Sequence, residues 1–133
     1  MILKDPPLHH DGIVQPDEET AETLMALLGL REVSRGSVET FHALCIFTDA
    51  AGRSPIEFVI PNGGPLERFN KGAGGLHHIA FEVPDLVALS EDFARRDIPM
   101  LEPKPVKGAG PFVCNFLLPS ATRGIIVEYV QMI

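Results

Sequence analysis

Gly75-Leu76-His77-His78-Ile79-Ala80-Phe81-Glu82-Val83-Pro84-Asp85 decides how the rest of the chain is read. It has the form of a buried strand that carries a histidine and ends in a Pro-Asp turn. Near the start the chain runs Leu8-His9-His10-Asp11-Gly12-Ile13-Val14-Gln15-Pro16-Asp17. Leu-His-His returns 68 residues later, and so does Pro-Asp. Two matched fragments in fixed register within one short chain point to an internal duplication.

The two copies can be followed outward. The first strand is expected over Leu8–Val14, with His10, Gly12 and Val14 on one face by alternation. Asp17 is placed to cap a helix, with Glu18 and Glu19 in its first turn. Ala21, Leu24, Leu27 and Leu28 are spaced as its apolar stripe, and Gly29 is placed to end it. Strands are expected over Leu30–Ser34, Thr40–Thr48 and Pro55–Ile60. Turns are expected at Arg35-Gly36-Ser37 and over Asp49–Ser54, the latter around Gly52. In the second copy, Leu76–Val83 leads to Asp85 as a helix cap, and Leu86, Leu89 and Phe93 form the stripe. Lys107–Pro111 and Pro119–Gly124 read as turns, and Phe112–Leu118 and Ile125–Val130 as strands. Val113-Cys114-Asn115-Phe116 echoes Leu44-Cys45-Ile46-Phe47, and Val127-Glu128-Tyr129-Val130 echoes Ile56-Glu57-Phe58-Val59. The reading is β-α-β-β-β twice: module one over about 8–61, a connector over 62–74, and module two over about 75–131, within one domain. One helical turn is expected at Leu66–Asn70 in the connector. Its G-x-G fragment precedes a strand and not a helix, so it lacks the context of a phosphate loop.

A chain of 133 residues, 45% hydrophobic and 22% charged, suits one soluble globular domain. No basic-apolar-small leader is read at the start and no apolar run is long enough for a membrane span, so a cytoplasmic protein is expected. The net charge of −7 repels a phosphate backbone and argues against nucleic acid. Cys45 and Cys114 sit in apolar runs and are expected to be reduced core residues.

Each copy supplies one histidine from its first strand and one glutamate from its last. Glu57 and Glu128 interrupt otherwise apolar runs. A carboxylate there faces water or has a partner, because burying it unpaired is costly. Singly, each histidine or glutamate reads as an ordinary core or surface residue. The matched pattern points instead to His10, Glu57, His78 and Glu128 as the ligands of one divalent metal ion with open positions for substrate. His9 and His77 fall on the opposite face and are expected to be structural. His42 is a further candidate for the cavity.

The duplicated stretch resembles the vicinal oxygen chelate superfamily, that is, the glyoxalase and bleomycin-resistance fold. Three stretches are most similar to the methylmalonyl-CoA epimerase family within it. They are Ser54-Pro55-Ile56-Glu57-Phe58-Val59-Ile60-Pro61, Gly74–Phe81, and Asn115-Phe116-Leu117-Leu118-Pro119 followed by Gly124-Ile125-Ile126-Val127-Glu128. The resemblance implies an α+β fold of two pseudo-symmetric β-α-β-β-β modules forming a cupped mixed sheet, often dimeric. It implies metal ligation by His10, Glu57, His78 and Glu128. The chain departs from the epimerase pattern at Glu57, where glutamine is usual; His, Glu, His, Glu is similar to bacterial glyoxalase I. It also departs where the epimerases keep a second catalytic glutamate. That place falls near His42 or Ala43, so His42 is the candidate substitute base. Asp11 and Gln15 stand where apolar residues are usual.

What the resemblance implies chemically is a metal-dependent isomerase. Glu128 would remove the proton next to a thioester carbonyl, giving a metal-stabilised enolate. The cofactor would be one divalent ion (cobalt, manganese, nickel or zinc), and the substrate a small molecule such as an acyl-CoA. Arg68, Lys71 and Lys107 could meet the phosphates of a CoA, although surface basic residues are more often simply solvated. The alternatives are a glyoxalase I-like lyase, another metal-dependent member such as a dioxygenase, and a metal-free binding protein of the resistance type.

Overall fold

The computed structural model describes residues 3–49, 51 and 53–133. Ala50 and Gly52, in the turn expected over Asp49–Ser54, lie outside the described residues, as do Met1 and Ile2. The chain forms two compact units. One is His10–His77; the other takes residues up to His9 together with His78–Ile133.

In the unit His10–His77, β1 (Leu8–Val14, entering from the other unit) is followed by α1 (Glu18–Leu28), β2 (Glu32–Val38), β3 (Ala43–Thr48) and β4 (Ile56–Pro61). The sheet order is β2-β3-β4-β1. β2–β3 and β3–β4 pair antiparallel, and β1 runs parallel to β4. The helix starts where the sequence places it: the Asp17 carboxylate accepts from the Thr20 amide at 2.8 Å, and Thr20 Oγ1 returns a contact to the Asp17 amide. It ends at Gly29, whose φ of 71° is left-handed and favours glycine. The core packs Ala21 and Met25 of α1 against Ile46, Phe58 and Ile60 of the sheet. Leu24 joins this core, but Leu27 is 79% exposed and Leu28 is exposed as well. The buried stripe is therefore Ala21, Leu24 and Met25, narrower than expected, because only the first two turns of α1 lie on the sheet.

A second correction concerns β2. Arg35-Gly36-Ser37 is not a turn; the strand runs through it, with Arg35, Gly36 and Ser37 opposite Ile46, Cys45 and Leu44. Arg35 donates to Glu32 at 2.6 Å and 2.7 Å and to Glu18 at 3.1 Å, which holds this edge strand extended. The chain turns later, in a 3-10 segment at Glu39–Phe41 that closes on His42 in the left-handed region (φ 50°). The connector holds a 3-10 segment over Pro65–Gly72 that is interrupted at Phe69, Asn70 and Lys71. Gly74 then passes close to the end of β1. A Cβ there would meet the Val14 carbonyl oxygen at 2.3 Å, and φ is 78°, so both space and backbone demand glycine.

The other unit repeats the plan with β5 (Gly75–Glu82, entering from the first unit), α2 (Leu86–Arg95), β6 (Val106–Lys107), β7 (Phe112–Leu117), α3 (Pro119–Thr122) and β8 (Ile126–Met132). Its order, β5-β8-β7-β6, corresponds strand for strand to β1-β4-β3-β2. β5 runs parallel to β8, and β8–β7 and β7–β6 are antiparallel. Asp85 caps α2, accepting from the Ala88 amide at 3.0 Å. Leu86, Leu89 and Phe93 are buried as their spacing requires, against Leu117, Val127 and Tyr129. The turn at Lys107–Pro111 is a hairpin whose glycines make room for an aromatic ring. A Cβ at Gly108 would lie 2.2 Å, and one at Gly110 2.9 Å, from atoms of Phe112. The segment Pro119–Gly124, expected as a turn, contains the four-residue helix α3. Two residues of β6 are strand where none was expected. Buried Asn115 ties the segment before β6 to the sheet, since its amide donates to the Glu102 carbonyl and accepts from the Glu102 amide.

Candidate functional site

Both faces of each sheet are buried, and alternation assigns them different work. In β4, Ile56, Phe58 and Ile60 face α1. Glu57 and Val59 therefore face the other way and are buried too. In β8, Val127 and Tyr129 face α2, while Glu128 and Val130 are buried on the opposite side. His10, Gly12 and Val14 share a buried face on β1, as do His78 and Ala80 on β5. His10 is 0%, Glu57 5%, His78 4% and Glu128 4% exposed. Four ionisable side chains this deeply buried need partners.

The partners are one another. In the unit His10–His77, His10 Nε2 lies 3.5 Å from Glu57 Oε1. In the other unit, His78 Nε2 lies 3.0 Å from Glu128 Oε1. The register explains the match. Glu57 stands directly across from Gly12, and Glu128 from Ala80, two residues past each histidine on the same face. The facing residue is small in both places, which leaves the diagonal between imidazole and carboxylate open. Each pair offers an imidazole nitrogen and a carboxylate oxygen, the donor types that divalent transition ions take.

A third member was missed in the sequence. Phe47 is the antiparallel neighbour of Glu57, and its ring meets His10 edge-on, with centroids 5.4 Å apart at 87°. Phe116 is the antiparallel neighbour of Glu128 and meets His78 at 5.8 Å and 85°. The signal was present: the two phenylalanines end the echoed pair Leu44–Phe47 and Val113–Phe116. Only strand register reveals that they stand beside the histidines.

The remaining candidates lie elsewhere. His9 packs edge-on against Phe112 and His77 against Phe69, both half-buried, in keeping with structural roles. His42 is exposed at the end of its 3-10 segment, its ring against Gly64, so the structure does not bring it into the buried pair of its own unit. Arg68 and Lys71 are exposed. Lys107 donates its ammonium protons to the Gly108 and Gly110 carbonyls and so braces its own hairpin. Cys45 and Cys114 are buried, as core residues should be, and neither is in a disulfide. Tyr129, next to Glu128, points to the helix-side core between Phe81 and Phe93, and burial pushes its hydroxyl above the usual phenol pKa. It is a packing residue held neutral. No helix among the described residues is long and apolar enough to cross a membrane.

Comparison with known proteins agrees with this architecture. The sequence model of the family described as "Glyoxalase/Bleomycin resistance protein/Dioxygenase superfamily" matches residues 9–116. The chain is similar to an ethylmalonyl-CoA/methylmalonyl-CoA epimerase of Cereibacter sphaeroides, 30% identical over 130 residues, covering 94% of this chain and 97% of that one. It is similar also to the mitochondrial methylmalonyl-CoA epimerase of Homo sapiens, 30% identical over 129 residues, covering 93% of this chain and 73% of the relative. Among solved structures, a methylmalonyl-CoA epimerase from Mycobacterium tuberculosis superimposes with a TM-score of 0.87 at 21% identity, over 98% of this chain and 93% of that one.

Proposed function

The chain belongs to the glyoxalase/bleomycin resistance protein/dioxygenase superfamily, and from that premise we propose that it is a metal-dependent epimerase acting on an acyl-CoA of the methylmalonyl type. The observation that carries the reading is the same buried imidazole–carboxylate pair built twice, once in each unit. Epimerase names on relatives at 30% identity over nearly the whole chain support the substrate class.

We take His10, Glu57, His78 and Glu128 as one set of four ligands for a single divalent ion. Two neutral imidazoles and two carboxylates suit such an ion, and the two negative charges balance its own. When bound, the ion supplies Lewis-acid stabilisation to a substrate oxygen that gains negative charge. Glu128 removes the proton from the carbon next to the thioester carbonyl. His78 Nε2 lies 3.0 Å from Glu128 Oε1, close enough for the two atoms to serve the same ion and for His78 to fix where Glu128 stands beside it. Water delivers a proton to the opposite face of the planar carbon, which inverts the centre, and Glu128 gives up the proton it took to solvent. The exposed His42 has no part in this reading.

Glu57 favours a second reading. The resemblance places glutamine there in the epimerases, and His, Glu, His, Glu is similar to glyoxalase I. A lyase of that kind would pass the proton to the neighbouring carbon of a thiohemiacetal. The two readings separate in one pair of assays on protein supplied with a divalent ion. Incubation of one methylmalonyl-CoA epimer in D2O is expected to give deuterium at C2 and racemisation, with no turnover of the methylglyoxal–glutathione adduct. Turnover of the adduct alone would favour the lyase, and inertness toward both would favour the binding protein.

A further inference from the structure

We infer that Phe47 and Phe116 are positioning residues, which set the ring planes of His10 and His78 so that each Nε2 is aimed at the metal beside its glutamate carboxylate. The inference rests on the reading that the two imidazole–carboxylate pairs are metal ligands. An imidazole on a strand has two torsions to fix. A contact at Nε2 fixes the direction of one ring atom, and a neighbour against the ring itself fixes its plane. An edge-to-face aromatic neighbour is suited to this, because the quadrupole of a phenyl ring favours a perpendicular partner at a centroid distance of about 4.5–7 Å.

Both units show this arrangement. Phe47 and His10 stand at 87° and 5.4 Å, and Phe116 and His78 at 85° and 5.8 Å. In each case the phenylalanine is also the direct cross-strand neighbour of the glutamate in the same pair. One residue thus contacts the histidine and walls the glutamate, covering the pair on the side away from the small residues Gly12 and Ala80. The duplication carried the phenylalanine to both ladder positions, and the near-perpendicular ring angle is kept in both although the residues around it have diverged. Neither phenylalanine carries a donor atom, so its influence on a metal passes entirely through the ligands.

The test titrates apo protein with Co2+ against a competing chelator and records the visible spectrum of the loaded form. Phe116→Leu and Phe47→Leu each remove the aromatic face in a different unit. Each is expected to weaken Co2+ binding about 10-fold and to shift or broaden the cobalt bands. Phe116→Tyr and Phe47→Tyr keep the ring and are expected to restore wild-type affinity and spectrum. Urea unfolding of the apo proteins is run alongside. If the leucine variants lose only apo stability and bind Co2+ with wild-type affinity and spectrum, the phenylalanines are packing residues and the inference fails. If one leucine variant does not fold, the variant in the other unit decides. If the wild type takes up no Co2+, the metal reading itself falls, a result distinct from unchanged affinity in the variants.

Discussion

Replacing Glu128 with glutamine is expected to lower the rate of deuterium exchange at C2 of methylmalonyl-CoA by about 10²–10⁴-fold. The amide matches the carboxylate in size, so the strand and its packing persist, but it accepts no proton at neutral pH. A 10³-fold loss corresponds to about 4 kcal/mol of activation free energy. The loss should fall mainly on kcat, with metal affinity also reduced because one anionic ligand becomes neutral. Tyr129→Phe is the internal control. Tyr129 is the next residue on β8, but its ring lies in the helix-side core with Phe93, so exchange should remain at the wild-type rate. If Glu128→Gln keeps its rate within a few-fold of wild type while still loading metal, Glu128 is not the base.

The second large effect is on stability. Phe58→Ala is expected to cost about 3–5 kcal/mol. Phe58 is fully buried on the helix side of β4, packed with Ala21 and Met25 of α1 and with Ile46 and Ile60. Truncation removes a large apolar surface from the centre of this core and leaves a cavity that two helical side chains cannot fill. Against a total stability of about 5–15 kcal/mol, that loss removes from about a fifth to all of the margin. Urea denaturation should show a much lower midpoint with an unchanged slope; a shift below about 1 kcal/mol would mean that the core relaxes around the vacancy.

Much of the fold was legible because the chain states its pattern twice. The lone carboxylate in each of the apolar runs Ile56–Ile60 and Ile125–Val130 marked Glu57 and Glu128 as residues that face water or need a partner. The capping residues Asp17, Gly29 and Asp85 marked the helix ends through local chemistry that needs no tertiary partner. What failed depended on pairing. Arg35-Gly36-Ser37 has turn composition, yet its backbone is recruited by β3 and its arginine is pinned by Glu32 and Glu18. Leu27 and Leu28 have the right spacing for a buried stripe, but the sheet does not extend beneath them.

The candidate site divides the same way. Its ionisable residues were readable, since a lone glutamate in an apolar strand is anomalous by itself. Its aromatic residues were not, since phenylalanine in such a strand is ordinary until the register places it against histidine. His42 was put forward from its position in the module. Its place at the left-handed end of a 3-10 segment, exposed, follows from the late turn out of β2, which composition did not signal.

The most direct test of the account is the metal content of the protein purified without chelators, wild type beside Glu128→Ala and His78→Ala. The account predicts about one divalent ion per chain in the wild type, lost in both variants. A wild type that carries none, and takes up none when offered cobalt, manganese, nickel or zinc, would contradict it and leave a metal-free binding protein.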